Sequence, residues 1–124
     1  MAEDPIPADV REFVIRNIES IAYLEALLLL RSDAGKRWSP STVAARLYIG
    51  EAEATSLLSR LAEQDLADGD AVGFQYKPDP AYEPMLTRLA DLYSRQLIPV
   101  TNLIHSRPGR VRAFASAFKL RKDP

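Results

Sequence analysis

The amino-acid sequence predicts a mostly α-helical domain with one small β-hairpin. Three observations lead there. Apolar residues recur every three or four positions through most of the 124 residues, as in helices that bury one side. An alternation of period two appears where Val72, Phe74 and Tyr76 interleave with Gly73, Gln75 and Lys77. Turn chemistry brackets that stretch. Asp68-Gly69-Asp70 precedes it, and Lys77-Pro78-Asp79-Pro80 ends it, because proline has no N–H for a ladder. An apolar fraction of 47% is ample for a single core in a chain of this length.

Residues 1–9 are acidic, carry Pro5 and Pro7, and read as a flexible arm. From Asp9 a helical period runs through Val10, Phe13, Val14, Ile18, Ile21, Leu24, Leu27 and Leu28 to about Arg31. This is one long helix, or two broken near Ser20. Ser20 is a candidate N-cap, although Tyr23 stands where a capping box has Glu or Gln. Leu24–Leu30 is apolar nearly all round, which predicts burial. Ser32-Asp33-Ala34-Gly35 ends the helix, and Lys36-Arg37-Trp38 reads as a short strand.

Ser39 then stands at an N-cap with Pro40 at the first helical position, where a missing N–H costs nothing. Val43, Ala44 and Leu47 form the buried side of a short helix that Gly50 is expected to end. Glu51 and Glu53 open the next helix, where carboxylates favour the positive dipole end. Leu57, Leu58 and Leu61 are its buried stripe, and Leu66 closes it.

Strand, helix, tight turn, helix and hairpin between Trp38 and Pro78 resemble the winged-helix domains of bacterial transcription regulators. The resemblance covers roughly residues 20–77 and is one of pattern. It implies a winged helix-turn-helix spanning 10–80, with an N-terminal helical extension and a long C-terminal helix. It further implies that residues 51–65 lie in the DNA major groove and that the hairpin is the wing. Thr55, Ser56, Ser59 and Arg60 would then face DNA, and Lys36 and Arg37 would reach its backbone.

The charge of that helix argues the other way. Glu51, Glu53, Glu63 and Asp65 stand against Arg60, and the hairpin adds Asp68 and Asp70 against Lys77. Affinity for DNA comes largely from neutralised phosphates, which this side would repel. Two functions are therefore expected. The first is a small DNA-binding transcription regulator. The second is a winged-helix protein-interaction module that never touches DNA.

Residues 81–107 read as a long amphipathic helix, kinked at Pro99. Its stripe either folds back onto the first helix or meets a second copy of the chain. Of these a homodimer is expected, with Tyr82, Leu86, Leu89, Tyr93 and Val100 at the contact. Residues 108–124 form a basic amphipathic tail. Arg110, Arg112, Lys119, Arg121 and Lys122 surround Val111, Phe114, Ala115 and Phe118. Formal charge divides unevenly, −6 over residues 1–106 and +5 over residues 107–124. The tail is expected to dock its apolar side on the protein or its dimer mate, leaving a basic rim. Weak contact with nucleic acid or an anionic membrane is the other reading.

Other classes find little support. There is no cysteine, hence no disulfide and no thiolate metal site. His105 is the only histidine, with no cysteine or Gly-rich phosphate loop beside it, and no acid pair is placed with a nucleophile or base. No enzyme, metal or cofactor is expected. The longest apolar run, Ala26–Leu30, cannot span a bilayer. The N-terminus lacks the features of a secretory signal, so a cytoplasmic location is expected.

Overall fold

Ser20 divides the N-terminal helical stretch in two. In the computed structural model, which describes residues 5–106, α1 spans Ala8–Asn17 and α2 spans Ile21–Ser32. The Ser20 hydroxyl accepts a hydrogen bond from the Tyr23 N–H at 3.1 Å, satisfying one of the orphan donors at the start of α2. Ser39 does the same for α3, Pro40–Leu47, by accepting from the Thr42 N–H at 3.2 Å. The remaining elements are β1 (Arg37–Trp38), α4 (Glu51–Glu63), β2 (Ala67–Asp70), β3 (Gly73–Tyr76), α5 (Glu83–Arg95) and α6 (Leu97–His105). A 3-10 turn, Pro80–Tyr82, leads into α5.

The three strands form one antiparallel sheet in the order β1-β3-β2. Trp38 pairs with Phe74, and Ala67 pairs with Tyr76. Trp38, Phe74 and Tyr76 are buried against the helices. The nearly all-apolar α2 lies centrally and packs on α3, α4, α6 and β3. Tyr23, Leu24, Ala26 and Leu27 are fully enclosed, as are Val43, Leu58 and Leu61. Leu47 is half-buried.

Several boundaries differ from the sequence reading. Tyr48, not Gly50, turns the chain out of α3. It sits in the left-handed region at φ 59°, and the Ile49 N–H bonds back to the Ala44 carbonyl. Gly50 instead precedes α4 with ordinary extended backbone. At the far end α4 stops at Glu63, and Asp65 takes the left-handed conformation at φ 61°. That turn drives Leu66 into the core, where it is 1% exposed.

The hairpin turn also lies two residues later than expected. Asp68, Gly69 and Asp70 are strand, with Asp70 paired to Gly73, so Ala71 and Val72 form the loop. Val72 is at the tip and 80% exposed, not in β3. Gly69 serves close approach, because a Cβ there would fall 2.2 Å from the Gly73 carbonyl oxygen. Asp70 starts the turn by accepting from the Val72 N–H at 3.0 Å.

The long C-terminal helix is two helices. The break is at Gln96, three residues before Pro99. The ring of Pro99 would clash with the carbonyl of Arg95 in a continuous helix, so the chain breaks there and Pro99 falls in the first turn of α6.

The stripe expected to meet a second copy lies in this chain's own core. Leu86, Leu89 and Val100 are at most 1% exposed in one chain. Tyr82 packs edge-on against Phe13 of α1, with ring centroids 5.8 Å apart. The Tyr93 hydroxyl donates to Glu25 of α2 at 2.7 Å. A surface already covered within one chain is not available to another. The arm is partly built in as well. Ile6 is 4% exposed, α1 begins at Ala8, and Asp9 is paired with Arg88 of α5.

Candidate functional site

The outward side of α4 follows from its periodicity. Ala54, Leu57, Leu58 and Leu61 point inward, which leaves Glu51, Ala52, Glu53, Thr55, Ser56, Arg60 and Glu63 exposed, with Ser59 half-buried. Glu51 and Glu53 stand in the first turn. Thr55 is turned back on its own helix, its hydroxyl donating to the Glu51 carbonyl at 3.0 Å.

The basic residues expected to meet DNA are engaged within the protein. Arg60 Nε donates to Glu19 Oε1 at 2.7 Å, and its Nη2 lies 2.5 Å from the same oxygen. Glu19 sits between α1 and α2, and this hydrogen bond raises the Arg60 pKa further above the usual guanidinium value. Arg37 Nη2 donates to the Gly73 carbonyl at 2.9 Å and lies 3.7 Å from Asp70. Lys36 Nζ sits 4.2 Å from the centre of the Trp38 ring, a cation–π contact.

Where α4 meets the hairpin, a surface groove of about 420 Å³ opens beside Ala62, Asp65, Asp68, Lys77 and Asp79. Backbone bonds hold it: the Asp79 N–H donates to the Asp65 carbonyl at 2.8 Å, and the Lys77 N–H to the Leu66 carbonyl at 3.2 Å. Three exposed carboxylates thus face one ammonium at the C-terminal end of a helix that already shows Glu51, Glu53 and Glu63.

A second groove, of about 440 Å³, runs between α2 and the end of α3. Ile21, Ala22, Leu47 and Ile49 give it apolar walls, with Glu25, Arg46 and Tyr48 at its edges. Tyr48 is 94% exposed. The sequence reading missed this groove. Its signal was the apolar run Leu47-Tyr48-Ile49, carried past the end of a helix toward Gly50.

Arg110, Arg112, Lys119, Arg121 and Lys122 lie outside the described residues. His105 is exposed in the last turn of α6. Among the described residues no group of three or more His, Cys, Asp or Glu is placed to hold a metal ion. No helix among them is long and apolar enough to cross a membrane. Compared with protein-family models, with characterised proteins and with solved structures, the chain matches none.

Proposed function

We propose that this is a winged-helix protein-interaction module that holds a basic partner segment along α4 and the acidic groove at its end. One observation carries the reading. Arg60, the only cation of α4, is tied to Glu19, so the charges left facing solvent on the helix are Glu51, Glu53 and Glu63. Such a side repels phosphate and attracts lysine and arginine. Asp65, Asp68 and Asp79 extend the negative surface toward the hairpin. Rim charges of this kind set encounter rate and partner choice more than tight affinity, so the interaction is salt-sensitive.

The test compares two probes by fluorescence anisotropy, a lysine- and arginine-rich peptide and a short DNA duplex. The peptide is expected to bind and to weaken as salt rises. Duplex binding that is steeply salt-dependent, and that Thr55→Ala with Arg60→Ala abolishes, would overturn the reading in favour of a DNA-binding regulator. Duplex binding that survives those substitutions does not involve α4.

A further inference from the structure

The groove between α2 and α3 shares no lining residue with the acidic groove of the proposed function. Its volume of about 440 Å³ is that of a ligand pocket. Ile21, Ala22, Leu47 and Ile49 wall it with partly covered apolar side chains. Tyr48 stands over its edge in an unfavourable conformation. A left-handed backbone is unfavourable for a residue other than glycine, and here it projects an aromatic ring into solvent.

We propose that the groove is occupied by the chain's own tail, residues 107–124, with Phe114 and Phe118 seated on Ile21, Leu47, Tyr48 and Ile49. Continuity, charge and pattern select this occupant. The described chain ends just past α6, which packs directly on α2, the helix forming one wall of the groove. Phe114 lies nine residues beyond His105, a reach of about 30 Å for extended chain, and a body of this size has a radius of gyration of only about 13 Å.

The charges are complementary as well. The tail carries +5 and the rest of the chain −6. Glu25 lines the groove. Arg46, the one cation lining it, leans over the Trp38 ring at 5.6 Å. Val111, Phe114, Ala115 and Phe118 recur at three- and four-residue spacing, with Arg110, Arg112, Lys119, Arg121 and Lys122 between and after them. Apolar walls with Glu25 at their edge match an apolar strip flanked by cations.

The chain has no cysteine, so a single one can be introduced and labelled in the full-length protein. Ser116→Cys bearing a nitroxide is expected to broaden the amide resonances of Ile21, Ala22 and Ile49. Phe114→Ser with Phe118→Ser should abolish that broadening. Tyr48→Gly should weaken it while leaving the core resonances in place, because glycine suits the left-handed position. A mixed sample, with isotope and spin label on different copies, should show no broadening. Broadening only in the mixed sample would assign the groove to a second copy and overturn the proposal. So would an unbroadened groove, or broadening indifferent to both sets of substitutions. None of these outcomes depends on whether the acidic side of α4 binds a basic peptide.

Discussion

Replacing Glu51, Glu53 and Glu63 together by glutamine tests what α4 is for. The three side chains are exposed, and glutamine keeps their shape and helix propensity, so charge is what changes. An exposed ion pair contributes about 0.2–1 kcal/mol, so three together contribute roughly 0.6–3 kcal/mol toward a basic peptide. That corresponds to a loss of affinity of about 3- to 150-fold. Glu51 and Glu53 also stabilise the first turn of α4 through its dipole, by about 0.3–1 kcal/mol each, so the variant should unfold at slightly lower urea. The assay is anisotropy of a labelled lysine- and arginine-rich peptide against parent and variant. It is repeated in roughly 0.1 M and 1 M salt, where the screening length falls from about 10 Å to 3 Å. The difference between the two proteins should shrink in high salt. Equal affinities of parent and variant in low salt would refute an electrostatic role for this side of α4. A variant that binds more tightly would reverse its sign.

The remaining predictions concern the body that carries the site. Leu58 is fully enclosed, so Leu58→Ala should cost about 2–5 kcal/mol in urea unfolding; a loss under about 1 kcal/mol would contradict its place in the core. Leu89→Ala should cost a similar amount and leave the mass from light scattering unchanged; a drop from dimer to monomer would return this stripe to an interface between copies. Burial raises the pKa of Tyr23, Tyr76 and Tyr93, helped by the Glu19 charge at Tyr23 and by hydrogen bonds to Glu83 and Glu25 at Tyr76 and Tyr93. Tyr76 is pushed from 10 up to about 12. Unfolded tyrosines release their protons first, so the stability these residues lend is full below pH 10 and falls as pH rises toward 12. Thermal midpoints at pH 8, 10 and 11 should therefore decline across the last interval, and a constant midpoint would refute the shifts.

Features settled within a few residues were legible in the sequence, and features settled across the fold were not. Ser39 and Pro40 act on a backbone group three residues away or on their own dihedral, so the start of α3 could be read directly, whereas Ser20, without a capping-box partner, left one helix or two open until the structure divided them. Gly50 misled because glycine is the usual left-handed cap. The chain turns earlier, at Tyr48, and the Ile49 that follows packs against the core. Asp68-Gly69-Asp70 misled for a related reason. The glycine there answers to β3 pressing against it, a contact invisible until the strands are paired. The periodicity of α5 and α6 showed that one side is buried and could not say by what. Phe13 against Tyr82, and Glu25 bonded to Tyr93, decide that it is the same chain.

The candidate site shows the same division with a larger consequence. A count along residues 51–65 sets four carboxylates against one arginine and leaves a cation free to meet phosphate. The partner of that arginine is Glu19, 41 residues earlier, and no local pattern joins them. Once they pair, Arg60 brings no net charge to a ligand approaching α4, while Glu51, Glu53 and Glu63 keep theirs. Lys36 and Arg37 are held in the same way, by Trp38 and by the Gly73 carbonyl. To grip a DNA backbone the protein would first have to break contacts it already makes, and would then bring phosphates against unpaired carboxylates. A basic peptide would meet those carboxylates at no such cost, and on this asymmetry rests the proposal of a protein-interaction module over a DNA-binding one.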